Sequence, residues 1–488
     1  MSATLDLFIG GERVRGSGPL LQSFNPYLGE PFAEVASASG SDVDAAIAAA
    51  TDAFESWRHT SGYARGELLY RLADLITRDV DKLSRLETRD NGKIIRETRN
   101  QLHFAARNYR FLAGAADKLT GETKPLDRET VLDYTTLEPL GVCALITAWN
   151  SPLQLLANKL APALTAGNTV VVKPSEHTCV STLEFAELIR EAGFPPGVFN
   201  VVCGAAETGE ALTNHPGIDK ISFTGSVSTG TRIATAAART ITPVTLELGG
   251  KSANIIFGDA DLERAIPGAV SGIFAAAGQT CVAGSRLLVH ESVYEQVLEG
   301  VVERARAVRM GDPLQEETEM GPLAHEAQMH AVLGHIERAK AEGAQLVTGG
   351  ERPDGYGRAC FVSPTVFAGV RNEMALAQEE IFGPVLAVIP FADDEEAVRL
   401  ANDTRYGLAA GIWTASIRRA HLLAREMRCG NVWVNTYRSS AAQAPFGGTK
   451  QSGYGRERGL EALAHYTRVK NTMVELSDDI RDPFRLGT

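Results

Sequence analysis

Two side chains of this sequence, Cys281 and Glu247, have the chemistry of a nucleophile and a general base. Cys281 follows an alanine-rich segment and a glycine, a setting that presents a side chain at a loop. A free thiol is only about 3% ionised at neutral pH, so a nucleophilic cysteine needs a nearby base, cation or helix end. Taken alone, a cysteine is more often an inert buried thiol.

Glu247 offers the base that such a cysteine would need. It lies inside an apolar, strand-like run, and Gly249 and Gly250 follow it and permit a sharp turn. Burial there would raise the carboxyl pKa towards neutrality, which suits a general base. The alternative is an acid on the solvent face of an amphipathic strand, and for an isolated glutamate this is the commoner case.

Polar side chains also end two strand-like runs, and ligands of α/β sheets gather at the carboxyl ends of strands. Asn150 follows the apolar run 142–149, where its amide could donate a hydrogen bond to a developing oxyanion. Lys173 ends the next run, where it could hold a ribose hydroxyl. The alternatives are an asparagine that only initiates a turn before Ser-Pro, and a solvated lysine.

Two further segments have weaker signals for ligand binding. Residues 223–230 follow a strand-like run and open a helix, and backbone amides at a helix N-terminus suit a pyrophosphate. This segment lacks the third glycine of the usual dinucleotide fingerprint, so by itself it is a weak motif. Glu380 belongs to a pair of acids before a Phe-Gly-Pro turn, for which an exposed helix end is the ordinary explanation.

The spacing of apolar residues predicts two α/β units that would position these side chains. Short apolar runs alternate with helical segments, which favours parallel sheets flanked by helices. A helix is predicted from Ser41, with Ser41 and Asp44 as its capping box, and another over residues 181–192 that ends at Gly193. Residues 117–138 form a polar segment that fits neither sheet. The predicted strands are 142–147, 170–172, 199–202, 221–223, 254–257, 286–289, 385–389 and 411–414, and the helices of the second unit are 262–276, 293–308, 395–402 and 418–427.

Composition limits the classes of partner. The 488 residues include 60 acidic and 48 basic side chains, and the net charge of −12 would repel nucleic acid over most of the surface. The apolar runs are far shorter than the roughly 20 residues that span a bilayer, and the first residues, which lack a basic stretch, are not expected to act as a secretory signal. The six cysteines lack the paired spacing of a zinc or disulfide framework. We therefore expect a cytoplasmic protein with reduced thiols, no metal, no membrane contact and no nucleic-acid partner.

Taken together, the order and spacing of these motifs resemble the aldehyde dehydrogenase superfamily from about residue 24 to residue 470. The resemblance rests on seven segments: Ala-Trp-Asn at 148–150, Lys-Pro-Ser-Glu at 173–176, Phe-Thr-Gly-Ser at 223–226, Glu-Leu-Gly-Gly-Lys at 247–251, Gln-Thr-Cys at 279–281, Glu-Ile-Phe-Gly-Pro at 380–384 and Pro-Phe-Gly-Gly at 445–448. It implies an NAD(P)-dependent enzyme of the non-acylating type.

The resemblance implies how an aldehyde would be oxidised. Cys281 would attack the aldehyde carbon, and the Asn150 side chain and the Cys281 backbone amide would hold the oxyanion of the thiohemiacetal. Hydride transfer to the nicotinamide would leave a thioester, and Glu247 would activate the water that hydrolyses it. Glu457 resembles a second carboxylate that relays protons in some family members, with an exposed helix acid as the alternative.

The resemblance also implies the cofactor contacts. Lys173 and Glu176 match residues at the adenosine ribose, and Glu380 matches one at the nicotinamide ribose. Glu176 favours NAD over NADP, because a carboxylate accepts hydrogen bonds from a free 2′-hydroxyl and repels a 2′-phosphate. The full set of expected contacts, in which Gly225 and Ser226 lie beside the pyrophosphate, is Trp149, Lys173, Glu176, Gly225, Ser226, Glu380 and Phe382.

The fold that the resemblance implies is α/β, with two Rossmann-like parallel-sheet domains, one for the cofactor and one for catalysis, and a small β oligomerisation arm. The expected divisions are a cofactor domain at 1–117 and 139–248, a catalytic domain at 249–445, an arm at 118–138 and 469–488, and a segment at 446–468 that returns to the cofactor domain. Because such an arm cannot bury a core of its own, we expect a homodimer or homotetramer.

The chain departs from many relatives near the expected substrate entrance. Ala148 stands where proline is common, and Ser151 and Thr449 stand where aromatic residues are frequent. These small residues favour a bulky, cyclic or aromatic aldehyde as substrate. Tyr437 and Phe446 are expected either to line the same pocket or to pack in the core.

Two other functions remain open from the sequence. One is an acylating dehydrogenase that passes the thioester to coenzyme A, although Glu247 is of most use when water is the acceptor. The other is a non-catalytic protein that kept the fold, although Cys281, Glu247 and the cofactor motifs are all present.

Overall fold

The computed structural model describes residues 4–478 and residue 484. Within these residues, no helix is both long and apolar enough to cross a membrane. The strands are β1 Leu7–Ile9, β2 Glu12–Val14, β3 Leu20–Asn25, β4 Glu30–Ala36, β5 Thr123–Lys124, β6 Val131–Pro139, β7 Val142–Ile146, β8 Thr169–Lys173, β9 Phe199–Val201, β10 Lys220–Thr224, β11 Val244–Glu247, β12 Ala253–Ile256, β13 Arg286–His290, β14 Gln345–Thr348, β15 Thr365–Ala368, β16 Val385–Phe391, β17 Ala409–Trp413, β18 Asn431–Val434, β19 Gly453–Tyr454 and β20 Thr467–Glu475. The helices are α1 Gly40–Trp57, α2 Gly62–Arg78, α3 Val80–Asn91, α4 Ile95–Ala113, α5 Pro152–Ala166, α6 Val180–Ala192, α7 Ala206–Asn214, α8 Val227–Ala237, α9 Leu262–Phe274, α10 Tyr294–Ala307, α11 Glu326–Ala341, α12 Ala375–Gln378, α13 Asp394–Asn402 and α14 Ile417–Glu426.

The first sheet contains the four strands predicted before residue 230. Its order is β19-β11-β10-β7-β8-β9-β1-β2, and β11, β10, β7, β8 and β9 run parallel to one another. Strands β7, β8 and β10 are buried along their whole length. Burial on both faces explains the continuous apolar stretches of β7 and β8, whereas β10 also buries the polar residues Lys220, Ser222 and Thr224. The expected parallel α/β arrangement is confirmed.

The second sheet contains the four strands predicted after residue 250. Its order is β14-β15-β16-β13-β12-β17-β18, with only β14 antiparallel to its neighbour among the described strands. Helices α9, α10, α13 and α14 lie at the predicted positions with their ends shifted by a few residues at most. Each sheet has its own hydrophobic core, so the chain builds two packed units, as its length suggested.

The helix ends show where local sequence reasoning succeeded and failed. Helix α6 ends at Gly193, whose φ of 91° is a left-handed conformation that favours glycine. Helix α1 begins earlier than predicted, and its capping box is formed by Ser39 and Asp42 rather than by Ser41 and Asp44. Ser39 is the N-cap because its backbone is extended and its own amide donates a hydrogen bond to the Asp42 carboxylate at 2.8 Å.

The polar segment 117–138 contributes to a separate three-stranded sheet with the order β20-β6-β5. Strand β6 pairs antiparallel with β20 over nine residue pairs, so the segment and the C-terminal tail bind each other within one chain. Residues 479–483 and 485–488 of the expected arm lie outside the described residues. The proposed domain boundaries stay predictions.

Candidate active site

Cys281 lies in a turn at the wall of a cavity of about 690 Å³. The preceding 3-10 turn, Ala275–Gly278, places Ala276 and Ala277 in the left-handed region, with φ of 54° and 52°. Gly250 packs against the following backbone so closely that a Cβ there would lie 2.3 Å from the Cys281 carbonyl oxygen. The backbone around Cys281 is therefore tightly constrained by the left-handed turn before it and by the close contact with Gly250.

The thiol of Cys281 is held in its neutral form. Burial raises the pKa of Cys281 to about 12, and the charges of Glu380 and Glu247 act in the same direction. Arg458 is a cation that opposes this shift. A nucleophilic role for the thiol therefore requires a change in local charge or a base when the ligands bind.

Asn150 lines the same cavity as Cys281. Its Nδ2 atom donates a hydrogen bond to the Gln279 carbonyl at 2.9 Å, two residues before the cysteine. This bond uses one of the two amide hydrogens and leaves the other available. The backbone N–H of Cys281 donates to no acceptor within the described residues. Two hydrogen-bond donors are thus available near the thiol.

Glu247 ends strand β11 and is only 4% exposed. The alternative of an acid on the solvent face of the strand is therefore wrong. Neither carboxyl oxygen has a hydrogen-bond partner in the part of the chain that is described. Burial raises the pKa of Glu247 well above its ordinary value, and the charge of Glu457 adds to the increase. Such a carboxyl can accept a proton at neutral pH.

Glu457 is also buried, with 2% exposure, and lies outside the helices. The alternative of an exposed helix acid is therefore wrong. Its carboxylate forms an ion pair with Lys159, which lies fully buried in α5. Sequence reasoning missed Lys159, although a lone lysine inside the apolar stretch of a helix was a usable signal.

A second cavity of about 660 Å³ is lined by Trp149, Lys173, Glu176, Gly225 and Ser226. The structure thus brings five of the predicted cofactor residues to one cleft, which lies at the carboxyl ends of β7, β8 and β10.

Lys173 is the buried cation of this cleft. It is 5% exposed, so the solvated-lysine alternative is wrong. Its Nζ lies 4.0 Å from the Glu176 carboxylate. Glu176 itself lines the cleft and is partly exposed, with 40% of its side chain accessible.

The cleft has features that fit a dinucleotide. Helix α8 begins at its wall, with Ser226 as N-cap accepting a hydrogen bond from the Thr229 amide. The hydroxyls of Thr147 and Thr224 also line the cleft, and both are buried without a hydrogen-bond partner among the described residues. A helix N-terminus and unsatisfied hydroxyls suit the phosphates and ribose hydroxyls of a nucleotide.

Glu380 follows the short helix α12 and contacts the loop after Glu247. It accepts a hydrogen bond from the Gly250 amide at 3.0 Å, and a Cβ on Gly249 would lie 2.0 Å from its other oxygen. Burial raises the pKa of Glu380 to about 7. The alternative of an exposed helix end is therefore wrong for this acid, which acts on the thiol through its charge.

Trp149 and Phe382 are in direct contact, with ring centroids 5.1 Å apart. The sequence did not point to two histidines that extend this aromatic cluster. His325 packs edge-on against Trp149 at 5.3 Å, and His177 stacks on His325 at 4.1 Å. Burial lowers the pKa of His325 to about 4, so the ring is neutral at physiological pH.

The cavity beside Cys281 is lined by Ser151, Tyr437 and Phe446, as expected. Thr449 does not line it, since its hydroxyl donates to the carbonyl oxygens of Gly407 and Arg428. The inference that Thr449 widens the substrate entrance is therefore wrong. Three charged residues line this cavity, Glu97, Arg438 and Arg458, none of which the sequence analysis had singled out.

The described residues contain no group of three or more histidine, cysteine or acidic side chains that could hold a metal ion. The cysteines among them are all unpaired. Cys281 and Cys429 are partly exposed, and the other four are buried.

The chain is similar over nearly its whole length to proteins of one family. The Aldehyde dehydrogenase family model matches residues 14–472. DhaS of Bacillus subtilis (strain 168), whose own naming as an aldehyde dehydrogenase is provisional, is 46% identical over 483 residues, covering 98% of this chain and 97% of DhaS.

Solved structures show the same similarity. The NAD+ complex of an aldehyde dehydrogenase from Bacillus cereus has a TM-score of 0.96 at 45% identity, with 97% of each chain covered. A point mutant of betaine aldehyde dehydrogenase from Staphylococcus aureus, solved with NAD+, has a TM-score of 0.97 at 38% identity, with 99% of this chain and 98% of that chain covered.

Proposed function

Because the chain belongs to the aldehyde dehydrogenase family, we propose that it oxidises an aldehyde to a carboxylic acid with NAD as cofactor and Cys281 as nucleophile. The observation that carries the proposal is that Cys281 and Asn150 share the wall of one cavity, while the buried base Glu247 acts on the same thiol. The proposal includes the division into a cofactor domain, 1–117 and 139–248, and a catalytic domain, 249–445.

In the proposed reaction, the Cys281 thiolate forms a bond to the aldehyde carbon, and the carbonyl electron pair moves to oxygen. The Asn150 amide and the Cys281 N–H stabilise that oxyanion. When bound, NAD supplies the acceptor for the hydride that leaves the same carbon, and a thioester remains on Cys281.

Hydrolysis of the thioester is assigned to Glu247. Its carboxylate takes a proton from water, the water oxygen bonds to the thioester carbon, and the carbon–sulfur bond breaks to release the acid and the thiolate. Glu457, whose charge acts on Glu247, is proposed to relay the proton onwards. Water as the acceptor is what distinguishes this proposal from transfer to coenzyme A.

The cleft before helix α8 is proposed to hold NAD. Lys173 and Glu176 would bind the adenosine ribose, and Gly225 and Ser226 would bind the pyrophosphate. The other proposed NAD contacts are Glu380, at the nicotinamide ribose, and the aromatic residues Trp149 and Phe382. Relatives of known structure bind NAD+, and the exposed Glu176 carboxylate disfavours the 2′-phosphate of NADP.

The cavity size supports a bulky, cyclic or aromatic aldehyde as substrate. The space of about 690 Å³ is walled by Phe104, Trp433, Tyr437 and Phe446, and aromatic walls favour apolar rings. Ser151 adds width where it lines the cavity.

A homodimer or homotetramer is proposed to form through the three-stranded sheet. Val469 and Met473 on β20 are 66% and 62% exposed, and β20 forms one edge of that sheet. Exposed apolar side chains on a sheet edge are a surface that another subunit can cover. The unpaired cysteines favour a reducing compartment, so we propose a cytoplasmic location.

A panel of chemically diverse aldehydes with NAD tests the function, with NADH absorbance as the readout. Cys281→Ser is expected to lower turnover at least about a thousandfold while NAD still binds. Cys429→Ser is the matched control, because Cys429 is the other partly exposed cysteine. Undiminished turnover by Cys281→Ser contradicts the mechanism.

The same panel distinguishes hydrolysis from the two alternatives, an acylating dehydrogenase and a non-catalytic protein. Product that appears as free acid, at a rate unaffected by coenzyme A, supports hydrolysis by Glu247. Formation of an acyl-coenzyme A instead supports the acylating alternative. Bound NAD without any NADH formation supports a non-catalytic protein.

A further inference from the structure

Arg458 is a buried cation in the wall of the cavity that contains Cys281. It is 8% exposed, and its guanidinium lies between two phenylalanine rings, 4.9 Å from the centroid of Phe104 and 4.7 Å from that of Phe446. Phe446 also belongs to the apolar cluster that includes Cys281. Arg458 and Cys281 line the same cavity, and the charge of Arg458 acts on the thiol.

The guanidinium of Arg458 is only partly satisfied. Its Nε atom donates to the Asn158 side chain at 3.2 Å, whereas neither Nη atom has an acceptor within the described residues. No acid of the described chain forms an ion pair with it, since the neighbouring Glu457 is paired with Lys159. Burial lowers the pKa of Arg458, and the charges of Glu457 and Glu247 oppose this shift only in part. Arginine stays charged in proteins, and a buried charge without a directly bonded counterion is costly. The arrangement predicts an anion that binds here.

The backbone fixes this side chain in place. Residues 446 and 457 exchange two backbone hydrogen bonds of 2.7 Å, immediately before Arg458. Arg458 itself has a φ of 61°, a left-handed conformation that is rare for a long side chain. Such strain persists where the surroundings enforce it and is concentrated at functional sites.

We propose that Arg458 binds a carboxylate of the substrate, so that the preferred aldehydes carry an anionic group at the end remote from the aldehyde. The two free Nη atoms form a planar fork that matches the two oxygens of a carboxylate. This inference rests on the proposed function, because it concerns what else the cavity holds when an aldehyde reaches Cys281.

The other charges of the cavity agree with an anionic ligand. Arg438 adds a second positive charge to the wall, and Glu97 is the single acid among the cavity residues described. Glu97 already accepts a hydrogen bond from the Ala276 amide at 3.1 Å. The charged side chains that line the cavity therefore carry a net positive charge, which also disfavours an ammonium group on the part of the substrate beside Arg458.

The first test uses the unmodified enzyme and pairs of aldehydes that differ only in charge. 4-Carboxybenzaldehyde is compared with 4-carbamoylbenzaldehyde, and short linear aldehydes that end in a carboxylate are compared with their amides. For at least one pair, kcat/KM is expected to be about tenfold or more higher for the carboxylate, because each charge-assisted hydrogen bond adds affinity. Equal values for every pair overturn the inference.

Variants then assign the preference to Arg458. In Arg458→Gln, the carboxylate-to-amide ratio of kcat/KM is expected to fall about tenfold to a hundredfold, and Arg458→Lys is expected to retain part of it. A general loss of activity lowers both substrates equally and leaves the ratio unchanged. Arg425→Gln, which removes an exposed arginine of α14, is the charge control. A wild-type ratio in Arg458→Gln overturns the inference.

A binding measurement keeps this inference separate from the proposed function. Benzoate is expected to slow the alkylation of Cys281 by iodoacetamide in the wild type, and to do so at least about tenfold more weakly in Arg458→Gln. Absence of protection in the wild type overturns the anion site. If NADH forms from neutral aldehydes while the carboxylate preference is absent, this inference fails alone. If no aldehyde is oxidised but benzoate protects, the anion site stands and the proposed function fails.

Discussion

The carboxylate of Glu457 forms an ion pair with the ammonium group of Lys159, and both side chains are almost completely buried. The pair joins helix α5 to the segment after β19. Both charges also act on Glu247, since Glu457 raises the pKa of Glu247 and Lys159 lowers it. The two members of one ion pair thus have opposite effects on the proposed general base.

The first prediction concerns the pH at which the base becomes active. Thioester hydrolysis needs ionised Glu247, so its rate should rise as the pH increases through the raised pKa. Glu457→Gln removes a negative charge, lowers that pKa and should move the rising limb to lower pH by about one unit. Lys159→Met should move it to higher pH. The measurement is the decay of the acyl-enzyme against pH, followed by acid quench and mass spectrometry.

Opposite shifts in the two variants are the decisive outcome. If the ion pair had a purely structural role, each variant would hydrolyse the thioester more slowly at every pH, and the rising limb of the pH–rate profile would not move. Shifts in the same direction for both variants would contradict the assignment of Glu247 as the group that titrates.

The second prediction concerns stability. Lys159→Met leaves Glu457 as a buried acid without its partner, and the free energy of unfolding should fall by about 3 kcal/mol or more. The double variant Lys159→Met/Glu457→Gln removes both charges and should recover most of this loss. Urea denaturation followed by tryptophan fluorescence measures both. Equal destabilisation of the single and double variants would mean that packing, rather than charge, explains the effect.

The sequence predicted the parts of the fold that depend on local patterns. Buried strands such as β7 and β8 are uninterrupted apolar runs, and a glycine ended α6 where expected. The short strands β14, β18 and β19 were missed, because a strand of two to four residues is defined by its neighbour in the sheet rather than by its own sequence. The predicted cap at Ser41 was wrong by two residues. Ser39 and Asp42 have the same spacing as Ser41 and Asp44, and they form the capping box one half-turn earlier.

The site was predictable only where a motif carried it. Cys281, Asn150 and Glu247 stood in recognisable segments, whereas nothing near residue 457 indicated that Lys159 lies beside it. Arg458 was missed for the same reason. The rings that enclose its guanidinium, Phe104 and Phe446, are brought to it by the fold, and its own segment of sequence does not indicate this contact. Burial decides the properties of these charges, and burial is a property of the packed fold.

The third prediction concerns cofactor choice. Glu176→Ser removes a carboxylate from the cleft wall, so a 2′-phosphate is no longer repelled. The ratio of kcat/KM for NADP to that for NAD should rise about tenfold, with steady-state kinetics of both cofactors as the measurement. Glu210→Gln, which removes an acid lining the same cleft that the proposal does not assign to the ribose, is the comparison. Comparable efficiency with both cofactors in the wild type would remove the argument for Glu176.

The fourth prediction concerns the thiol. Glu380 raises the pKa of Cys281, and its own pKa of about 7 means that it is mostly ionised at pH 8 and mostly neutral at pH 6. Glu380→Gln should therefore speed alkylation of Cys281 by iodoacetamide severalfold at pH 8, because a neutral neighbour lets the thiolate form more readily. At pH 6, where Glu380 is mostly neutral in the wild type, the variant and the wild type should react at similar rates. Peptide mass spectrometry separates Cys281 from Cys429, which serves as the internal reference. An equal acceleration at both pH values would indicate that the variant opens the cavity, and the electrostatic explanation would then be wrong.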